Sequence, residues 1–140
     1  MSDGTAILFP HGADIGVRGL GTTLGEAFAA AARALASAVT EPGDVVAQER
    51  VEINCAAPDD RLLFCDWLNA VIYEMAVRRM VFCRFKVALA DHRLHASAWG
   101  EAVDPARHAP ASEPKGASLS GLKVAQRPDG LWVAECIVDV

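Results

Sequence analysis

Two neighbouring carboxylates end the chain. Asp139 is the next-to-last residue, in "CIVDV", and Val140 carries the α-carboxylate. Side chains alternate along an extended strand, so Asp139 shares a face with Glu135 and Ile137 while Val140 points the other way. Such a pair repels itself unless solvent, a basic group or a cation compensates, and hard oxygen ligands suit Ca²⁺, Mg²⁺ or Mn²⁺.

Asp14 is the candidate for a third carboxylate. It lies in "HGADIG", on a turn predicted to join one strand to the next. A compact fold could bring it to the end of the chain and complete a metal site. In the alternative interpretation, Asp14 accepts hydrogen bonds from turn amides and Asp139 is a solvated strand end. These residues alone favour that structural alternative.

His11 stands three residues before Asp14. Neutral imidazole is versatile near neutral pH, so His11 is a candidate to support an ion, to act in acid–base chemistry or to contact a partner. A lone loop histidine is more often structural or solvated. His92, His95 and His108 share no metal-ligand spacing with it, so no role is assigned to them and zinc is disfavoured.

Two further polar groups have both a functional and a structural interpretation. Asp66, Asn69 and Tyr73 form a polar stripe on a predicted helix, and hydrogen bonding to neighbouring loops is at least as well supported as direct function. Lys115 is a lone cation in a predicted loop, where surface pairing is the default. We find no nucleophile elbow, P-loop, dinucleotide fingerprint or Cys–His pairing, so no catalytic residue is predicted.

Composition predicts one domain over residues 1–140. The hydrophobic content is 52% and the charged content 22%, which argues against disorder. A net charge of −5 disfavours nucleic acid as the main ligand. For the one dense basic group, a solvated helix end and strand edge is favoured over an RNA patch: Arg78, Arg79, Arg84 and Lys86. We expect a cytoplasmic protein without a membrane span or signal peptide, and four buried, reduced cysteines.

The pattern predicts an α+β fold in which a mainly antiparallel sheet packs with two helices. The first helix starts with the capping box Thr23–Glu26 and ends near Thr40, and the second follows Pro58 and is expected to be central and largely buried. Alternating segments predict strands at 48–55, 83–89 and 93–99, and a closing hairpin turns at "RPDG". Residues 100–121 are expected to form a long loop.

In their order and spacing, these segments resemble the archease family, which is associated with tRNA splicing. The resemblance runs through "HGADIG", "LLFCDWLNAVIYE", "GEAVDPARHAP" and "GLKV" to Trp132 and the final Asp139–Val140. It implies a single-domain sandwich that is not an enzyme. It also implies a divalent cation held by Asp14, Asp139 and Val140, seen as calcium in crystals, with magnesium and manganese as the alternatives in the cell.

The implied activity is activation of the RNA-splicing ligase that joins 3′-phosphate or 2′,3′-cyclic phosphate ends to 5′-hydroxyl ends with GTP and Mn²⁺. Such an activator promotes guanylylation and multiple turnover of the ligase in tRNA splicing or RNA repair, and contacts tRNA or broken RNA only indirectly. His11, Asp66 and Lys115 are then candidates to support the ion or contact the ligase. The alternatives are a general chaperone or modulator of an RNA-modifying enzyme and, less favoured, a metal-dependent phosphohydrolase.

The chain departs from the family pattern at four positions. Gly12 replaces a threonine, which we expect to loosen the first turn. In the Lys115 segment, Gly116 replaces an alanine, and Leu119 and Ser120 replace a tyrosine and a histidine. Roles that depend on those two side chains do not carry over to this chain.

Overall fold

The computed structural model describes residues 4–140, which form eight strands, three α-helices and a 3₁₀ turn. The elements are β1 (Thr5–His11), β2 (Asp14–Gly21), α1 (Leu24–Val39), a 3₁₀ turn (Pro42–Asp44), β3 (Glu49–Ala56), α2 (Asp60–Arg78), β4 (Met80–Ala90), β5 (Arg93–Ala102), α3 (Pro105–His108), β6 (Gly116–Ala117), β7 (Lys123–Gln126) and β8 (Trp132–Asp139). No helix in this part of the chain is long and apolar enough to cross a membrane.

Helix α1 begins where the capping box predicts. The Thr23 hydroxyl accepts a hydrogen bond from the Glu26 amide at 3.1 Å. The Glu26 carboxylate reaches back to the amide and hydroxyl of Thr22 rather than to Thr23. The first contact satisfies an amide that the first helical turn leaves free, and the second ties Thr22, the residue before the cap, to that turn. The helix packs against both sheets, and most of its residues are buried.

Helix α2 is capped by Asp59, whose carboxylate accepts from the Leu62 amide at 2.8 Å. One face is fully buried, and the Trp67 indole N–H donates to the Phe28 carbonyl at 3.0 Å. The opposite face is open, since Tyr73 and Val77 are 64% and 58% exposed. The expectation of a central helix was therefore wrong for α2. Alanine-rich α1 takes that place because its small side chains let both sheets approach it closely.

The strands form two antiparallel sheets, which confirms the α+β class. The larger sheet has the order β1-β2-β8-β6, with β7 pairing the earlier part of β8, and the smaller has the order β3-β5-β4. The sequence predicted β3, β4, β5, the closing hairpin of β7 and β8, and a strand on either side of the Asp14 turn. It predicted neither β6 nor the division of the strands into two sheets. Strand β8 is central in the larger sheet, so the last residues of the chain lie between β2 and β6.

The predicted loop over residues 100–121 is partly ordered structure, so that expectation was wrong in extent. Strand β5 continues through Ala102 because Gly100 and Glu101 pair with β4. Asp104 then caps α3, with Pro105 in its first turn, and β6 pairs with the end of β8.

All four cysteines are free. Cys65 and Cys136 are buried, whereas Cys55 and Cys83 are only partly buried, contrary to expectation. Burial raises the pKa of the Cys136 thiol to about 12.

Candidate functional site

A tight hairpin between β1 and β2 positions His11 and Asp14. The two residues face each other as the last pair of the ladder, with Gly12 and Ala13 forming the turn. Gly12 adopts a φ of 57°, which a residue without a side chain tolerates best. The glycine therefore suits this turn rather than loosening it. Asp14 is half-buried, while His11 is exposed.

The chain end lies directly beside Asp14. Ile15 pairs with Val138 in the β2–β8 ladder, so the next residues on each strand meet at the same edge of the sheet. The Val140 amide donates a hydrogen bond to Oδ1 of Asp14 at 3.3 Å. Asp139 is exposed and Val140 is half-buried. We call the group of Asp14, Asp139 and Val140 the acidic tip.

The Lys115 segment lies on the other side of β8. The Lys115 amide donates to the Asp139 carbonyl at 2.7 Å, and Gly116 pairs with Asp139. The Lys115 side chain is exposed, with no ion pair within residues 4–140. The backbone contacts therefore present a cationic residue next to the acidic tip, where a partner can reach it.

Asn69 anchors β6 to helix α2. Its Oδ1 accepts from the Ala117 amide at 2.8 Å, and its amide nitrogen donates to the Cys65 sulfur at 3.6 Å. This is the structural role that sequence reasoning weighed for the polar stripe. Asp66, in the same stripe, is exposed and forms no hydrogen bond or ion pair to the acidic tip in the part of the chain that the structure describes.

A buried charged cluster was missed by the sequence analysis. Glu101 is only 6% exposed; its carboxylate accepts from Arg107 at 2.7 and 2.9 Å and from the Val46 amide at 2.6 Å. His108, also buried, lies 3.1 Å from Glu101 through Nε2 and accepts from the Asp104 amide through Nδ1 at 2.8 Å. The two contacts define a neutral imidazole that donates through Nε2.

The cluster fixes the start of the segment that leads to Lys115. The Arg107 hydrogen bonds, followed by that of the Val46 amide, lower the pKa of Glu101 to about 2, so the carboxylate stays ionised. Beyond α3, Ala111 donates to the Val39 carbonyl and Ser112 to the Ala38 carbonyl, which ties the segment to the end of α1. The Asp104-Pro105 pair, a typical helix start, is the sequence signal for this turn.

Comparison with known proteins agrees over nearly the whole chain. The model of the Archease protein family matches residues 7–140. The archease of Pyrococcus furiosus is 32% identical over 136 residues, covering 94% of this chain and 96% of its own. The archease of Methanopyrus kandleri is 33% identical over 134 residues, covering 93% and 95%. The chain belongs to the archease family.

The fold of this archease family member also matches a solved structure. The solution structure of Methanobacterium thermoautotrophicum protein 1598 superposes with a TM-score of 0.85 at 26% identity, covering 99% of this chain and 100% of the other.

The two departures from the family pattern at the end of the Lys115 segment, Leu119 and Ser120, are both exposed, and Leu119 is 60% exposed. Both replacements therefore alter the surface of this archease and leave its core unchanged.

The donors at the acidic tip fit a hard divalent cation. They are carboxylate oxygens, with no sulfur or imidazole nitrogen among them. Within residues 4–140, no three His, Cys, Asp or Glu side chains lie close enough together to hold a metal ion. The side chains of Asp14 and Asp139 alone therefore do not form such a group of three.

Proposed function

We propose that this archease activates an RNA ligase that joins 3′-phosphate or 2′,3′-cyclic phosphate ends to 5′-hydroxyl ends. It promotes guanylylation and multiple turnover of the ligase without catalysing a reaction itself. The observation that carries the proposal is the hydrogen bond between the Val140 amide and Asp14, which joins two ends of the chain that are 126 positions apart. Membership of the archease family supports this role.

The acidic tip is the proposed site of a divalent cation. Asp14, Asp139 and the α-carboxylate of Val140 supply the oxygen ligands, and Ca²⁺, Mg²⁺ and Mn²⁺ all prefer such ligands. A bound cation would supply positive charge that stabilises phosphate oxygens. The chain's own contribution is to hold the three carboxylates at the end of two paired strands, which are rigid supports.

Three residues around the tip are proposed to contact the ligase or support the ion. His11 pairs with Asp14 across the hairpin, and the Lys115 amide is bonded to Asp139. Their exposed side chains flank the tip and offer a partner one titratable and one cationic group. Asp66, on α2, is three residues before the β6 anchor Asn69 and would extend this contact surface.

Ligase guanylylation tests the proposal. Transfer of labelled GMP to the RNA ligase of the same organism is measured with wild-type archease, with an Asp14→Asn/Asp139→Asn variant and without archease. We expect wild type to accelerate the transfer and the variant to fail. The Asp14→Asn change keeps an oxygen at the position that accepts the Val140 amide hydrogen bond, so the variant retains its fold.

A matched control removes two carboxylates elsewhere. Glu41 and Asp44 are exposed around the 3₁₀ turn, and neither side chain forms a hydrogen bond or ion pair within residues 4–140. A Glu41→Gln/Asp44→Asn variant changes the net charge equally and should activate like wild type. No acceleration by wild type would contradict the proposal, and phosphate-ester hydrolysis by the chain alone would favour the phosphohydrolase instead.

A further inference from the structure

A tryptophan lies between two arginine positions on the outer face of the smaller sheet. Trp99 belongs to the central strand β5 and pairs with Arg50 of β3 on one side and Arg84 of β4 on the other. The guanidinium carbon of Arg84 lies 4.6 Å from the centre of the Trp99 ring, a cation–π contact. The three residues form one row across the sheet, in which both arginines are exposed and Trp99 is half-buried.

The rest of this face is also cationic. Lys86 lies opposite Ser97 in the next row, and Arg93 lies near the turn between β4 and β5. The one carboxylate in the paired rows is Glu52, which is bound to Arg50 at 2.9 Å and to His95 at 3.2 Å. That leaves three cations without an ion pair within residues 4–140: Arg84, Lys86 and Arg93.

Two depressions lie along this part of the smaller sheet. A groove of about 540 Å³ runs between β4 and the first half of α1, and Arg84 and Lys86 form part of its wall. A shallower depression of about 390 Å³ lies at the other end of the face, beside Arg93 and His95. The face therefore combines the Arg84–Trp99 contact with two depressions. Each has cationic residues and one acidic residue in its lining, Glu26 in the groove and Asp91 in the shallower depression.

We propose that this outer face binds single-stranded nucleic acid. Proteins that bind single strands combine a cationic track for the phosphates with aromatic or guanidinium planes on which bases stack, and the Arg84–Trp99 pair with Lys86 and Arg93 supplies both. At physiological salt the distant acidic charges of the chain are largely screened from this face, because the screening length is about 8 to 10 Å. This inference goes beyond the proposed function and does not require the acidic tip.

Binding of a labelled, unstructured oligouridylate to the protein alone tests this proposal. Anisotropy is measured with EDTA present and no ligase, so the result is independent of ligase activation and of the cation. We expect wild type to bind at low salt, about 50 mM, and to lose affinity as salt rises. Trp99→Ala should weaken binding at least about fivefold, because stacking of one base contributes about 1 kcal/mol or more, whereas Trp99→Phe should retain most of it.

Charge removal provides the matched comparison. Lys86→Gln/Arg93→Gln should flatten the slope of log affinity against log salt by about 1.4, because each lost phosphate contact contributes about 0.7 on a single strand. Lys123→Gln/Arg127→Gln makes the same charge change beside β7 in the other sheet and should leave the slope unchanged. Circular dichroism confirms that each variant is folded.

Three results would overturn the proposal. The first is no binding of the RNA by wild type at low salt. The second is an equal loss of affinity in the β7 control. The third is that inorganic polyphosphate competes for the protein as effectively, per phosphate, as unlabelled oligouridylate does. That result would show that the RNA is held by charge attraction without base stacking.

Discussion

The Val140 amide donates a hydrogen bond to Asp14, and this contact places the last residue of the acidic tip beside the first. Neither residue is informative alone: an aspartate in a turn and an acidic chain end are common surface features. The contact joins positions that are far apart in sequence, so no local pattern predicts it. The archease resemblance brought them together as an expectation, and the proximity in the structure now supports a cation site as a proposal.

Cation affinity tests the residue-scale part of this proposal. Asp14→Asn/Asp139→Asn should weaken binding of Ca²⁺ or Tb³⁺ at least about tenfold, because affinity depends on ligand charge. Tb³⁺ luminescence or calorimetry measures the change. The Glu41→Gln/Asp44→Asn variant should bind like wild type. Equal affinity in the tip variant and wild type would place the cation elsewhere.

Acid stability tests the buried cluster. Because Arg107 holds the pKa of Glu101 near 2 in the folded protein, below the ordinary 4.5, Glu101 contributes stability above pH 4.5 that is lost as pH falls toward 2. Glu101→Gln should therefore lower the melting temperature by several degrees at pH 7, and the difference from wild type should shrink toward pH 2. Calorimetry across this range measures it. A difference that stays constant with pH would contradict the assignment.

Some helices and strands were predictable from the sequence, and others were not. The limits of α1 and the start of α2 follow from caps that lie within a few residues of the helix ends, so they were predictable. Strand β6 is two residues long and exists because Asp139 and Asn69 bind it from distant parts of the chain. Elements held by such non-local contacts have no local sequence signal. Helix α3 does have a local signal, the Asp104-Pro105 pair, but the sequence analysis missed it.

The anchor of β6 can be removed selectively. Asn69→Ala should reduce stability by about 1 kcal/mol, because the Ala117 amide loses its acceptor. It should also weaken cation binding, since β6 pairs with Asp139. Asn69→Asp keeps the acceptor oxygen and should retain more of the stability and more of the cation affinity than Asn69→Ala. Urea unfolding and Tb³⁺ titration measure the two effects. Unchanged cation affinity in Asn69→Ala would show that β6 does not help to position the acidic tip.

Close packing of α1 on β2 is a second element-scale feature. A Cβ atom at Gly19 would lie 1.9 Å from the Ala27 carbonyl oxygen, so the helix or strand would have to move. Gly19→Ala should therefore cost at least about 1 to 3 kcal/mol in urea unfolding. Gly43→Ala, with no atom within 4 Å of the added Cβ, should change stability little. Similar unfolding midpoints for the two variants would contradict this packing.

The whole molecule separates two surfaces of opposite charge. The acidic tip lies at the end of the larger sheet. The cationic surface is the outer face of the smaller sheet, which carries Trp99, and α1 contacts both sheets. A net charge of −5 conceals this arrangement, which is why composition disfavoured nucleic acid. The fold class was predictable from alternation and helical periodicity, whereas the charge distribution depends on register between strands.

Multiple-turnover RNA ligation measures the proposed activation by the acidic tip. The ligase of the same organism is given excess RNA with 2′,3′-cyclic phosphate and 5′-hydroxyl ends, GTP and Mn²⁺, and products formed per ligase are counted. Wild-type archease and the Glu41→Gln/Asp44→Asn control should sustain many turnovers, whereas Asp14→Asn/Asp139→Asn, still folded, should leave the ligase near its unassisted yield. Equal stimulation by the tip variant and wild type would contradict a role for the acidic tip in activation.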